Sequence, residues 1–253
     1  MKEKLTRRNF LKAAGLLGAV DLALALGLRF GDDASVVYRY LDAYIKGENN
    51  ESLPALTEIE RNIIVDESLQ NGPVVANKEA FVLAAVVTAL HKDPKMGLFN
   101  LLTFLRRFPL TLQAEKSDKS YSIDNKGNNY LAFAHYKPLF SGGPVIGFYP
   151  SFFAHYRKGI REVNPEIQIE NDASVYHELT HLMQDASHPF IFSSQSTGSN
   201  NYDYNQDPLE LEAFSLSGAI VMEEFQKVLS ANISYWPLGK FFEFKGESLK
   251  FEK

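Results

Sequence analysis

The sequence predicts an α+β fold whose first half is mainly helical and whose small antiparallel sheet lies next to two long helices. Apolar residues recur at helical spacing through most of the first 110 residues. Beyond them, polar, turn-rich stretches alternate with short runs typical of strands, and two further helical patterns follow. The chain has 253 residues, of which 45% are hydrophobic. It can therefore build a substantial core in one domain.

The first half contains four predicted helices. In the second of them, Leu56, Ile59 and Ile63 are spaced to share one face. The third is apolar on most sides and indicates a buried helix, and the fourth ends before Pro109. The predicted helices cover residues 34–46, a segment that opens at Pro54, residues 77–92 and residues 98–108.

The second half mixes extended segments with two long helices. If the last extended segment before the first long helix ends at residue 170, Asn171 or Asp172 caps that helix. The second long helix begins at Pro208, with Asp207 as its N-cap, and runs to about residue 229. The predicted extended segments are 130–136, 145–153, 167–170 and a terminal hairpin over 241–251.

Composition restricts the partners and the chemistry. The formal net charge is −5, and basic residues concentrate at the start of the chain. An acidic body argues against a nucleic-acid partner, because phosphate binding relies on clustered Lys and Arg. The sequence contains no Cys. Any metal ion must therefore be held by His and carboxylate side chains.

The first residues suit an export signal. Residues 6–12 read Thr-Arg-Arg-Asn-Phe-Leu-Lys and precede an apolar stretch over 13–28. This segment resembles a bacterial twin-arginine signal, which implies export of a folded protein to the periplasm or the extracellular space. Contact with a membrane is then expected only through this segment, if it stays uncleaved. We divide the chain into a signal over 1–27, a helical region over 28–110 and a catalytic region over 111–253.

Residues 177–181 read His-Glu-Leu-Thr-His and point to a metal site. On a helix, His177 and His181 lie one turn apart on the same face, where both imidazoles can bind one zinc ion. Glu178 then lies near the open position of the metal and can act as a general base. The pattern predicts a zinc-dependent hydrolase.

A catalytic zinc site needs a third protein ligand. The extended motif of metzincins requires a glycine and a third histidine where this chain has Gln184 and Ser187, with His188 one place out of step. The alternative is a glutamate on the following helix, which offers Glu210 and Glu212. Two residues on a helix are about 200° apart, so only one of them can face the metal. We expect Glu210, near the start of that helix, and keep Glu212 as the alternative.

The motif and the glutamates that follow it resemble the gluzincin class of zinc metallopeptidases over about residues 145–230. Residues 210–213 are similar to the gluzincin pattern Glu-x-x-Ala, with Phe214 where an Asp often follows. Residues 212–215 are similar to the variant Glu-x-x-Ser, with Leu216 at the place of Asp. The resemblance implies a Zn²⁺ cofactor, a peptide or protein substrate, and a tyrosine, here Tyr204, that steadies the oxyanion. The missing Asp would leave the first histidine without its usual partner.

Two other interpretations remain open at this stage. The protein could be an exported zinc-binding protein without hydrolytic activity, although such a site has no need of Glu178. It could also be a helical binding module in which the five-residue motif arose by chance.

Overall fold

The computed structural model describes residues 54–93, 96–122, 129–162, 164–188, 207–231 and 241–246. The export signal over 1–27, the helix over 34–46 and Tyr204 lie outside these ranges. The three-part division of the chain stays a prediction. Among the helices within these ranges, none is long and apolar enough to cross a membrane.

The protein has an α+β fold that is mostly helical, as the sequence predicts. The described helices are α1 (Pro54–Arg61), α2 (Glu67–Gln70), α3 (Lys78–Lys92), α4 (Gly97–Arg107), α5 (Pro150–Glu162), α6 (Pro165–Ser187) and α7 (Pro208–Ala231). The strands are β1 (Ile63–Val65), β2 (Val74–Ala76), β3 (Leu110–Ala114), β4 (Ser120–Ser122), β5 (Asn129–Leu131), β6 (Ala134–Lys137), β7 (Val145–Phe148) and β8 (Phe242–Phe244).

The main sheet is mixed, which corrects the expectation of an antiparallel sheet. Its four strands have the order β1-β3-β7-β6. β1, β3 and β7 run parallel, because the chain passes through helices between β1 and β3 and so enters β3 in the same direction. Only β6 is antiparallel to its neighbour, since a short turn over 138–144 reverses the chain before β7.

Three expectations about the region before the motif were wrong. Residues 167–170 form no strand, because α6 already begins at Pro165. Its N-cap is Asn164, whose side chain accepts a hydrogen bond from the backbone N–H of Glu166, and neither Asn171 nor Asp172 caps it. The extended run predicted over 145–153 ends at Phe148, and α5 follows from Pro150 because proline suits the first turn of a helix.

Local patterns also misplaced shorter elements. The run over 130–136 is divided between β5 and β6, and Ile63 lies in β1 rather than on the face of a helix. Of the terminal hairpin, the described part is β8, which pairs antiparallel with β2. The helices predicted over 77–92, 98–108 and 208–229 are confirmed as α3, α4 and α7.

Helix α6 lies at the centre of the molecule. It packs against α3, α4, α5, α7 and β6, so that nearly every side chain from residue 171 to residue 185 is buried. The adjoining core is strongly aromatic. The ring of Phe242 in β8 lies 4.9–5.5 Å, between centroids, from the rings of Phe81, Phe148, Phe152, Phe153 and Tyr156.

Asp185 joins α6 to the edge strand β6. Its carboxylate Oδ2 accepts hydrogen bonds from the hydroxyl of Tyr136 and from the backbone N–H of Leu139, each 2.8 Å long. Burial raises the pKa of Asp185, while these two hydrogen bonds oppose that change. Asp185 is seven residues after Glu178 and therefore lies on the same face of the helix. The bridge thus places β6 along the face of α6 that carries Glu178.

Replacing Asp185 should destabilise the fold. Asp185→Ala leaves the Tyr136 hydroxyl and the Leu139 N–H without their acceptor, and each such loss costs about 1–3 kcal/mol. We expect urea denaturation to show a loss of about 2 kcal/mol or more in the free energy of unfolding. The control is Glu170→Gln on the same helix, whose side chain is 64% exposed and which should change stability by less than about 0.5 kcal/mol. Equal stability of both variants would contradict the role given to this bridge.

Candidate metal centre

Two buried histidines of α6 turn their ring nitrogens towards each other. His177 and His181 are one helical turn apart and only 7% and 4% exposed. Their Nε2 atoms lie 3.1 Å apart, and the planes of the two rings are nearly perpendicular. Two ring nitrogens that converge in this way can both face a common third group.

That third group is Glu210, in the first turn of α7. Its carboxylate Oε2 lies 3.0 Å from Nε2 of His177 and 3.3 Å from Nε2 of His181. Asp207 positions the start of α7, because its side chain accepts a hydrogen bond from the backbone N–H of Leu209. Within the described ranges, these three side chains form the one group whose ligand atoms lie close enough together to hold a metal ion.

The geometry of the three atoms fits a metal ion. Nitrogen and oxygen ligands about 2.1 Å from a tetrahedral zinc ion lie about 3.4 Å from each other. The observed separations are 3.0, 3.1 and 3.3 Å. The donors are also of suitable type, since two imidazoles and a carboxylate are common ligands of transition-metal ions. The three residues could therefore bind a metal ion without large rearrangement.

The structure brings Glu210, and not Glu212, to the histidines. The Glu212 carboxylate instead accepts hydrogen bonds from Nζ of Lys92 and from Nε2 of Gln184. The charge of Glu212 is compensated by Lys92. Glu212 therefore contacts Gln184, a neighbour of His181, and not the histidines themselves.

The cluster is strongly coupled electrostatically. Burial alone would raise the pKa of Glu210, but the hydrogen bonds and charges of His177 and His181 outweigh it and hold the pKa well below its usual range. For His181, burial acts in the other direction and would lower the pKa, because it disfavours the charged imidazolium. The hydrogen bond to Glu210 and the charges of Glu178 and Glu210 outweigh that effect and raise the pKa of His181 to about 8. A proton on His181 would therefore compete with a metal ion for this position.

Glu178 is buried next to this cluster but stays outside it. Its side chain is 7% exposed, and it forms no hydrogen bond with the other described residues. Burial raises the pKa of Glu178, while the nearby charges of His177, His181 and His135 oppose the increase and that of Glu210 adds to it. A carboxylate whose pKa is shifted towards neutrality is suited to exchange protons with a bound water or substrate.

The far side of His177 lacks a polar partner. Its Nδ1 atom is buried and forms no hydrogen bond within the described part of the chain. The ring of Phe214 packs against the imidazole, with 4.5 Å between centroids. An apolar side chain thus packs against the imidazole of His177.

Sequence reasoning found the three clustered residues and missed their surroundings. Gln184 served only as an argument against a longer motif, yet it contacts His181, Glu212 and the backbone of α7. Its position three residues after His181, on the same face of a helix, could have indicated the contact with that histidine. The hydrogen bond from Lys92 of α3 to Glu212 could not be predicted from the sequence around either residue.

The chain was compared with protein-family models, with curated proteins and with solved structures. No protein-family model matches the chain, and neither a curated protein nor a solved structure is significantly similar to it.

The two glutamates of α7 should differ sharply in their effect on metal binding. Glu210→Ala removes a ligand atom, so we expect it to weaken zinc affinity by more than about 100-fold, beyond the effect typical of outer hydrogen-bond partners. Glu212→Ala should weaken it by about tenfold at most. Calorimetric zinc titrations of both variants test this difference. An equal or larger loss for Glu212→Ala would show that the ligand is assigned to the wrong glutamate.

Metal affinity should fall as the pH falls through about 8. A metal can bind Nε2 of His181 only after the proton has left, and the pKa of His181 is raised to about 8. Below that pH, affinity should therefore decrease by about tenfold per pH unit for the one proton displaced. Zinc titrations between pH 6 and pH 9 measure this dependence. An affinity that does not change over the range would mean that no proton competes at this position.

Proposed function

We propose that this protein is a zinc-dependent peptidase of the gluzincin type, in which Glu178 is the general base. The observation that carries the proposal is a buried glutamate that makes no hydrogen bond to the other described residues and lies beside a cluster of two imidazoles and a carboxylate. The mostly helical α+β fold and the mixed sheet beside α6 are compatible with a zincin-like architecture.

Zinc suits the ligand set. Catalytic zinc sites use three protein ligands, often two histidines and a glutamate, and keep a fourth position open. A zinc ion bound in this way lowers the pKa of a water and stabilises negative charge that develops on a carbonyl oxygen. His177, His181 and Glu210 would hold the ion.

The chemistry of the chain's own residues then centres on one proton. Glu178 accepts a proton from the water as the water oxygen forms a bond to the carbonyl carbon of the peptide. The same carboxyl group next donates this proton to the amide nitrogen, and the C–N bond breaks to release an amine and a carboxylic acid. Burial raises the pKa of Glu178, which makes its carboxylate a stronger base for the first step and brings the group closer to the pH at which it can both accept and return a proton.

Two further parts of the proposal rest on sequence alone. Tyr204 lies between α6 and α7, in a stretch outside the described ranges, and we propose it as a hydrogen-bond donor to the oxyanion. Export to the periplasm or the extracellular space is proposed from the twin-arginine-like start of the chain. The proposed substrate is a peptide or protein.

Metal analysis separates this function from its alternatives. A helical binding module with an accidental motif should contain no stoichiometric zinc after gentle purification. A zinc-binding protein without hydrolytic activity should contain zinc but cleave no member of a broad peptide library. The peptidase should both contain zinc and cleave peptides.

Replacing the proposed base should remove activity and leave the metal. Glu178→Gln keeps the shape of the side chain but cannot accept a proton, so we expect kcat to fall by at least about 100-fold while zinc content stays the same. Peptide cleavage assays and metal analysis on the same samples measure both quantities. The matched control is Glu170→Gln on the exposed side of α6, which should keep full activity. Full activity of Glu178→Gln would overturn the assignment of the base.

A further inference from the structure

We propose that Gln184 is a positioning residue of this site, whose side-chain oxygen holds His181 in the form protonated at Nδ1 and so keeps Nε2 unprotonated, as binding of a metal through that atom requires. The inference rests on the proposed metal site and goes beyond it, because it assigns the residue that prepares one ligand.

The hydrogen bonds of Gln184 fix the orientation of its amide. Nε2 of Gln184 lies 2.9 Å from the carbonyl oxygen of Leu209 and 2.9 Å from Oε2 of Glu212. Both of these oxygens can only accept hydrogen bonds, because a backbone carbonyl and an ionised carboxylate carry no proton. The NH₂ group of Gln184 must therefore point at them. Its oxygen is left on the side that faces His181.

The orientation of Gln184 in turn determines which nitrogen of His181 carries a proton. Oε1 of Gln184 lies 2.7 Å from Nδ1 of His181. An amide oxygen is only an acceptor, so Nδ1 must be the donor. When the imidazole is neutral, its one proton is then on Nδ1, and Nε2 presents a lone pair to the cluster. A histidine can bind a metal through Nε2 only in this form.

The contact lies at the end of a chain of interactions that joins three helices. Lys92 of α3 donates to Glu212 of α7, Glu212 accepts from Gln184 of α6, and Gln184 accepts from His181. Gln184 is 3% exposed, so water cannot readily replace any of these partners. Nζ of Lys92 donates to Oε1 of Glu212, and this cationic partner favours the ionised carboxylate, which can only accept a hydrogen bond from Gln184.

The two histidines differ in this support. His181 has Gln184, whereas Nδ1 of His177 has no hydrogen-bond partner among the described residues. Orienting partners of metal-binding histidines typically change metal affinity by about 10–100-fold when they are removed. In this protein, we expect the hydrogen bond between Gln184 and His181 to make this contribution to metal affinity.

The direct test is the tautomer of His181 in the metal-free protein. ¹⁵N NMR of the imidazole, recorded at a pH high enough for His181 to be neutral, distinguishes a protonated Nδ1 from a protonated Nε2. We expect Nδ1 protonated and Nε2 unprotonated in the wild-type chain. A neutral His181 protonated at Nε2 would overturn the proposal, whether or not the protein cleaves peptides.

Variants of Gln184 test the cause. Gln184→Met removes the acceptor, so the Nδ1-protonated form should lose its dominance and zinc affinity should fall by about 10–100-fold. Gln184→Glu combined with Glu212→Gln keeps one oxygen opposite Nδ1 and places an amide donor at position 212 opposite the second carboxylate oxygen, so the tautomer should be retained although the Leu209 carbonyl loses its donor. The matched control is Gln168→Met on the same helix, whose amide donates to Asp172 away from the histidines and which should change neither quantity.

The outcomes separate this inference from the proposed function. If Gln184→Met keeps both the tautomer and the zinc affinity of the wild-type chain, Gln184 is not a positioning residue even if the protein is a peptidase. If the tautomer changes as expected but the wild-type chain cleaves no peptide, the positioning role stands and the peptidase proposal fails. Should Gln184→Met not fold, the wild-type tautomer and the double variant still decide the question.

Discussion

The structure depends on the contact between α6 and α7 at Glu210. Helix α6 is buried on nearly all sides, and it carries His177, Glu178 and His181 into that interior. Burying ionisable groups is costly unless they are paired. Glu210 supplies the opposite charge, reaching both imidazoles from the first turn of the neighbouring helix. The contact of Glu210 with the two histidines therefore has two effects. It lowers the cost of burying these ionisable groups, and it assembles a potential metal site.

The two histidines of the cluster differ in the hydrogen-bond partners of their outer nitrogens. His181 is held by an amide that is itself fixed by two acceptors, whereas the ring of His177 packs against Phe214 and its outer nitrogen has no partner among the described residues. Glu178, between the two histidines in sequence, makes no hydrogen bond to the described residues. His181 is thus oriented by a hydrogen bond on its outer nitrogen, whereas the corresponding nitrogen of His177 has no partner among the described residues.

The sequence predicted the α+β class, the long helices and the residues of the cluster, because these depend on local periodicity and on the spacing of His177 and His181 along one helix. It favoured Glu210 over Glu212 from the position of Glu210 near the start of α7. It did not predict the mixed sheet, since strand direction depends on where the chain returns after α2, α3 and α4 and not on the strands themselves. It also missed β1, whose three residues continue an apolar pattern that suits a helix. The link from Lys92 to Glu212 joins residues 120 positions apart, so no local pattern could reveal it.

We propose that His177, His181 and Glu210 together bind one zinc ion. Anomalous diffraction from crystals of the purified protein, recorded on both sides of the zinc absorption edge, locates such an ion. We expect a single strong peak about 2.0–2.2 Å from Nε2 of His177, Nε2 of His181 and a carboxylate oxygen of Glu210. A zinc peak held by other residues, or no peak between these three side chains in crystals supplied with zinc, would contradict it.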